Sequence, residues 1–496
     1  MSTKPNIVWL VQDHVTWKHY RDTAGPKPTL NTYNRIASGG IAFNRAYTVT
    51  PLCSPARASM ATGVYAHKHG ITRNDDKSLS KQFLPGIPSF NQYVQQEGYR
   101  TGYFGKWHAG AQSIHELGFE GFSLPGYGNP YGSARFAEYL ERFELPHPVI
   151  DVEWALGDKL QNFDLTKITR FAGGDPSGFK GTSTAVVKTP VETTEAYFIA
   201  QLACDWVEER ALDGEPFVMR VDVWGPHQPY LVAEPFKDTI DPKQIPEYPN
   251  FRNSFEDRPN YHKKDRDSWR QRTGYTTWEE WQPIMARAYE NFSQTDAALG
   301  KVLDTLERTG LLDNTIVIYT ADHGDILGSN GGLFDKDSML TEETMSIPLA
   351  IRWPGAPKNG AALDALVSNM DIVPTVLELA GAQVPSHMDG KSIVPLLSDT
   401  SSPWREDLMA MHFGHINHDD IQRVLYYGPY KYTAHLDDSD ELYDLNADPF
   451  ELHNLIDEPA MTDVLKEMKA RLHRNMDQAG DVSADSLRLI QQKSMP

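Results

Sequence analysis

The run Asn6-Ile7-Val8-Trp9-Leu10-Val11, broken at once by Gln12-Asp13-His14, decides the fold. An unbroken apolar, β-branched segment of this length suits a strand covered on both faces of a parallel sheet. Similar runs recur at Phe217 to Trp224, Thr315 to Ala321 and Pro348 to Trp353, with helical patterns between several of them. The clearest helix precedes the run at Thr315. Leu299, Val302, Leu303 and Leu306 share one of its faces, and Gly310 stands where a helix in that register would end. Strand alternating with helix predicts a wound α/β sheet.

In such sheets ligands bind beyond the carboxyl ends of the strands. The residues there read Gln12-Asp13-His14, Gly225-Pro226-His227 and Asp322-His323-Gly324-Asp325. One such cluster alone is ordinary turn chemistry, because Asp favours turns. Three strand ends bearing carboxylates or imidazoles point instead to a shared site.

The chain has 496 residues, enough for a large α/β core and a further subdomain. Its 47 Lys and Arg stand against 67 Asp and Glu, a net charge of −20. An acidic surface repels nucleic-acid phosphates and anionic lipid, so neither is an expected partner, and an anionic substrate needs a local basic pocket. No apolar run reaches the roughly eighteen residues of a membrane span. No secretory leader precedes the first strand, and two cysteines, Cys53 and Cys204, are too few for a disulfide scaffold. A cytoplasmic location is therefore expected.

Residues 125 to 290 are rich in aromatics and prolines with weak periodicity, and read as long insertions around the pocket mouth. Farther on, strand-like pieces from Arg423 to Tyr427 and Tyr430 to Ala434 precede a charged helix from Asp463 to Met476. The expected division is a catalytic α/β unit over 1–395, carrying those insertions, and a C-terminal subdomain over 396–496 with a small antiparallel sheet and a helix.

The segment Pro51-Leu-Cys-Ser-Pro-Ala-Arg-Ala-Ser-Met-Ala-Thr-Gly63 carries the chemistry. Ser54 reads as a helix N-cap, Pro55 as the first helical position and Gly63 as the terminator. Cys53 then stands at the positive end of a helix dipole, with Arg57 one turn on. That setting favours a bound anion or an ionised nucleophile. The plain alternative is a buried cysteine beside a helix start, the usual fate of a free thiol. Cys204, in the apolar stretch Tyr197 to Val207, reads as core packing.

Cys53-Ser-Pro-Ala-Arg57 resembles the maturation motif of the type I sulfatases of the alkaline phosphatase superfamily. Gly98-Tyr-Arg-Thr-Gly-Tyr-Phe-Gly-Lys-Trp-His108 resembles that family's second motif, and Asp322-His323-Gly324 its metal-binding strand end. The stretch Glu441-Leu-Tyr-Asp-Leu-Asn-Ala-Asp-Pro-Phe-Glu-Leu-His-Asn-Leu455 is similar to its C-terminal motif. The resemblance implies a large mixed, mostly parallel sheet flanked by helices, with a smaller C-terminal α+β subdomain. It also implies hydrolysis of a sulfate monoester to an alcohol or phenol and inorganic sulfate.

By that resemblance a maturing enzyme oxidises Cys53 to formylglycine, an aldehyde whose hydrate, a gem-diol, is the nucleophile. Asp13, Asp322 and His323 hold a divalent cation that also touches the residue made from Cys53. Calcium suits the carboxylates best, and an imidazole ligand leaves manganese or magnesium open. Lys106 and His108 contact formylglycine and sulfate, Lys336 is a second sulfate-binding lysine, and His227 protonates the leaving group. Arg57 supports the aldehyde and Asn74 contacts a substrate oxygen. The implied partners are a small sulfated substrate, a formylglycine-generating or other sulfatase-maturing enzyme and a second copy in a homo-oligomer.

One departure stands out. The family has a second acid after the first strand, where this chain has His14, so the fourth protein ligand is in question. Relatives with a neutral residue there include phosphonate monoester hydrolases, which use the same nucleophile; a phosphonate monoester or phosphodiester is the alternative substrate. A non-enzymatic alternative is an anion-binding protein that is never matured.

Overall fold

Every residue of the Asn6–Gln12 strand is buried, as its composition predicts. In the computed structural model, which describes residues 4–494 apart from 127, 129, 156–168, 173–181, 274–275, 337, 356–359 and 416–417, this strand lies at the centre of an eight-stranded sheet. It pairs in parallel with Thr315–Ala321 on one side, Gln12 opposite Ala321, and with Phe217–Asp222 on the other, Val11 opposite Asp222. Arg100–Gly105 and then Glu120–Phe122 continue beyond Phe217–Asp222, again in parallel. On the opposite flank Leu349–Arg352 runs antiparallel between Thr315–Ala321 and Ile41–Tyr47, and Ala361–Ser368 closes the sheet. The run from Pro348 to Trp353 is thus the one reversed strand, a direction that an apolar run cannot encode.

Helices cover the sheet in two groups. Asn31–Ser38, Glu195–Asp213 and Trp278–Arg308 pack together, and Cys53–Thr62, Phe90–Gln96 and Ile372–Ala380 form a second set. Trp278–Arg308 is fixed at its start by a reciprocal cap, Thr277 with Glu280, and Gly310 follows its last turn at φ +73°.

The stretch 125–290 is less loop-like than its sequence suggests, although 156–168 and 173–181 lie outside the described residues. Val149–Ala155, Thr169–Ala172, Thr182–Val187 and Tyr230–Ala233 form a second sheet. Glu195–Asp213 is a long helix whose buried residues, among them Phe198, Ile199, Leu202, Cys204 and Val207, surround it too completely to leave an amphipathic stripe. That is why its periodicity reads as weak. A third, antiparallel sheet consists of Asp407–His415, His418–Tyr427, Tyr430–His435 and Glu441–Asp444, backed by the Thr462–Ala479 helix. Among the described residues no helix is long and apolar enough to cross a membrane.

Candidate active site

Four neighbouring parallel strands end on one edge of the main sheet. Thr315–Ala321 delivers Asp322 and His323, Asn6–Gln12 delivers Asp13 and His14, Phe217–Asp222 ends in Asp222 and turns toward His227, and Arg100–Gly105 leads into Lys106 and His108. At the last of these ends Lys106 N–H donates to the Asp222 carbonyl at 2.9 Å, and a Cβ on Gly105 would stand 1.9 Å from that same oxygen. Only glycine allows the approach that brings Lys106 in.

Asp13, Cys53, Asp322 and His323 each offer one atom to a buried group whose members all lie within 4.8 Å of one another. His323 Nδ1 lies 2.8 Å from the Gly324 carbonyl, which can only accept, so Nδ1 carries a proton and Nε2 is the nitrogen that faces the group. Nε2 is 3.1 Å from Cys53 Sγ. Asp13 Oδ1 is buried and accepts no hydrogen bond. Two carboxylates, an imidazole nitrogen and an oxygen left unpaired fit a divalent cation with oxygen and nitrogen ligands.

Arg57 organises these carboxylates from below. Fully buried, it donates from Nε to Asp322 at 2.9 Å and from Nη1 to Asp222 at 2.8 Å, with Nη2 3.7 Å from Asp13. Asp222 is clamped in turn by Arg220 through two bonds of 2.7 Å, and Lys106 Nζ pairs with Asp13. Burial alone would discharge Arg57, yet Asp322, Asp13 and Asp222 hold it well above its ordinary range.

Cys53 is the first residue of the Cys53–Thr62 helix, with Leu52 at the cap. The expected cap, Ser54, is wrong by two positions: its Oγ has no hydrogen bond, and Asn74 Oδ1 accepts from Ser54 N–H at 2.9 Å instead. A side chain from outside the helix does the capping, which frees the first helical position for the thiol. The cysteine remains at the positive helix end as the sequence predicts. Burial opposes a thiolate there, but Lys106, Lys336 and His323, with a hydrogen bond to His108, hold the thiol well below its usual pKa.

Other site residues gather around this centre. Lys336 is buried, 2.7 Å from Asp335, and is held charged against burial by that carboxylate and Cys53. His108 is lowered to about 4, chiefly by burial, and stays neutral near pH 7. His227 Nδ1 donates to the Gln228 carbonyl at 2.8 Å, placing its other ring nitrogen on the opposite side. His14 does not join the four-residue group through its ring. Its backbone N–H donates to Asp322 Oδ1 at 3.0 Å, and Nε2 turns toward Asp325 and Asp335, 3.4 Å from each. The ring fills the gap between His227 and His323, with centroids 4.6 and 4.9 Å away.

Sequence reasoning passed over Asp222, Arg220 and Glu195. The first two had a signal: Arg220 and Asp222 lie two apart in an otherwise apolar strand, so both face one side of the sheet, where a buried charge needs a partner. Glu195 had none, being one acid before a helical stretch. It accepts from Gly225 N–H at 2.9 Å and Trp224 N–H at 3.3 Å, and burial raises its carboxyl to about 7.

A family profile described as Sulfatase matches residues 5–382. The chain belongs to the sulfatase family. The enzyme class expected from the sequence, a sulfuric ester hydrolase, stands with it. A second profile, N-sulphoglucosamine sulphohydrolase, C-terminal, matches residues 329–478 of this sulfatase. An ulvan-active sulfatase of Formosa agariphila is 25% identical over 97% of this chain and 82% of its own. The structure of BT4656 in complex with D-glucosamine-2-N,6-O-disulfate aligns at TM-score 0.72 and 23% identity, covering 97% of this chain and 99% of that one. A phosphonate monoester hydrolase from Silicibacter pomeroyi aligns at TM-score 0.75 and 20% identity over 96% of each chain. The alkaline phosphatase-like fold expected from the sequence is the fold of these structures.

Proposed function

We propose that this sulfatase hydrolyses a sulfate monoester to an alcohol or phenol and inorganic sulfate, with formylglycine made from Cys53 as nucleophile. One observation carries the reading: the buried convergence of Asp13, Cys53, Asp322 and His323 within 4.8 Å. Asp13, Asp322 and His323 would hold a divalent cation, calcium first, with manganese or magnesium as alternatives. Such a cation supplies Lewis acidity at a sulfate oxygen and favours ionisation of the hydrated aldehyde.

The protein's own groups do the rest. Arg57 keeps Asp13 and Asp322 aligned and charged. Lys106 and Lys336 set positive charge around the sulfate oxygens, where negative charge builds in the transition state. His108, neutral near pH 7, accepts a proton from the nucleophile, and His227 holds the proton for the leaving oxygen at Nε2. Asn74 fixes the start of the helix that carries residue 53, and its amide nitrogen is the atom offered to a substrate oxygen. The two thiols form no disulfide, which suits the reducing cytoplasm as compartment. A maturing enzyme is the one partner this chemistry requires, since the thiol does not become an aldehyde unaided.

A second reading, a phosphonate monoester hydrolase, is favoured by His14 in place of a second acid and by the solved structure from Silicibacter pomeroyi. Relative kcat/KM on an aryl sulfate and a matched aryl phosphonate ester separates the two, with the sulfate expected to lead. Mass spectrometry of the peptide carrying residue 53, from a host that matures sulfatases, is expected to find the aldehyde. An unchanged thiol with no turnover on either ester would leave only the anion-binding alternative.

A further inference from the structure

A second set of ligand-type side chains stands beside the first. His14, His227 and Asp335 each offer one atom to a group lying within 4.8 Å, and none of them belongs to the cluster of Asp13, Cys53, Asp322 and His323. His14 decides what the group can do. Its ring is buried, yet neither Nδ1 nor Nε2 makes a hydrogen bond among the described residues. An imidazole always carries at least one N–H, so leaving both nitrogens unpaired away from water is costly. Nε2 stands 3.4 Å from Asp335 Oδ1 and 3.4 Å from Asp325 Oδ1. That is long for a charge-assisted hydrogen bond, which spans about 2.7–2.9 Å. It is the spacing of atoms that share an ion, since bonds of about 2.0–2.1 Å in a tetrahedron set ligands about 3.4 Å apart.

The surroundings suit an ion too. His227 Nδ1 donates to the Gln228 carbonyl at 2.8 Å, which leaves Nε2 to bind and fixes the ring as metal-ligating imidazoles are fixed. The two rings meet edge-on, with centroids 4.6 Å apart. Asp335 pairs with Lys336 at 2.7 Å, and Asp325 is held by the Tyr230 hydroxyl at 2.8 Å and the Leu327 N–H at 3.1 Å. Two carboxylates against one ammonium leave the spot net negative. His14 is buried whereas His227 and Asp335 are half-buried, so the last two give an ion its way in.

We propose that His14, His227 and Asp335 form a second cation site, which takes a transition ion of the zinc type and stops turnover while it is occupied. Two imidazoles and one carboxylate are a zinc-type ligand set with one position open, whereas calcium takes about six to eight oxygens. His14 stands where the family has an acid, so this nitrogen donor is the chain's own. An ion on His227 Nε2 occupies the lone pair that otherwise carries the proton for the leaving oxygen. This effect on turnover rests on the sulfate-ester reading above; the binding does not.

Calorimetric titration of calcium-loaded Cys53→Ala protein with zinc chloride tests the site without the thiol as a competing ligand. One equivalent of zinc is expected to bind. His14→Gln and Asp335→Asn, each added to that background, should weaken binding by at least about tenfold, because loss of even an outer partner of a ligand costs about 10–100-fold. Asparagine tolerates the φ of +67° at Asp335, so Asp335→Asn keeps the test decisive if His14→Gln fails to fold. Absence of zinc binding, or binding that both changes leave intact, overturns the proposal. In matured parent protein with calcium in excess, zinc should lower kcat/KM for phenyl sulfate by about a hundredfold, the low end of what a general acid contributes, and a zinc chelator should restore it. Zinc bound at these residues with turnover unchanged also overturns the proposal. Turnover of phenyl sulfate without zinc binding removes the second site and leaves the reaction standing. Zinc binding that the two variants lose, with no sulfate ester turned over by any matured protein, removes the reaction and leaves the second site standing.

Discussion

The Cys53–Thr62 and Glu195–Asp213 helices each carry one of the chain's two cysteines, and the two thiols are buried alike, at 1% and 3% exposure. Their acidity is opposite. Cys204, midway along its helix among apolar neighbours, is pushed up to about 11 by burial. Cys53 starts its helix, at the positive end of the dipole, with Lys106, Lys336 and His323 facing it, and it is held low. Burial is common to both, so position along the helix and the surrounding ions make the difference. The same contrast separates the residues that open the two helices: cations outweigh burial at Cys53, whereas at Glu195 burial outweighs the two backbone donors and the carboxyl is raised.

The largest effect that bears on this contrast is expected at Cys53. Cys53→Ala should lower kcat by at least about a thousandfold, as loss of a covalent nucleophile does, with an unchanged circular dichroism spectrum. Cys204→Ala should leave kcat within about twofold, and equal losses in the two variants would erase the distinction. Next in size is the ion cluster under Cys53. Arg57→Met removes the buried cation that bonds Asp322 and Asp222 and is expected to cost about 3–5 kcal/mol in denaturant unfolding, the range for breaking a buried pair. A loss below about 1 kcal/mol, the scale of an exposed pair, would mean these charges are solvated.

Smaller still, Cys204→Ala should cost about 1–2 kcal/mol through its cavity, and Asn74→Ala about 1 kcal/mol as a lost helix cap. The smallest effect is one of pH. Glu195 binds its proton more tightly folded, at about 7 against an ordinary 4.5, so the native state gains protons relative to the unfolded chain across that window. Stability should therefore fall as pH rises from 4.5 toward 7 and level off above, and Glu195→Gln should flatten that part of the Tm-against-pH curve. An identical curve in the variant would place Glu195 in contact with water.

Much of this was legible in the chain. The unbroken run at Asn6 gave the central strand because a doubly covered strand needs no alternation, and polar residues after three such runs marked the sheet edge where the candidate site gathers. Arg57 and Lys106 were legible through spacing from Cys53 and through motif likeness. What escaped reading depends on contacts distant in sequence. Ser54 has the side chain of a cap, but Asn74, twenty residues on, takes that place. His14 is a strand-end imidazole by sequence, and only the arrival of Asp325 and Asp335 decides where its ring turns.

The sheet order sets a schedule for synthesis. Asn6–Gln12 is bracketed by Phe217–Asp222 and Thr315–Ala321, so the pocket that encloses Cys53 is incomplete until residue 323 has been made. At about 5–20 residues per second the ribosome needs roughly fifteen seconds to a minute to travel from residue 53 to that point. Throughout that interval the thiol is reachable, and once the last strand docks it is sealed.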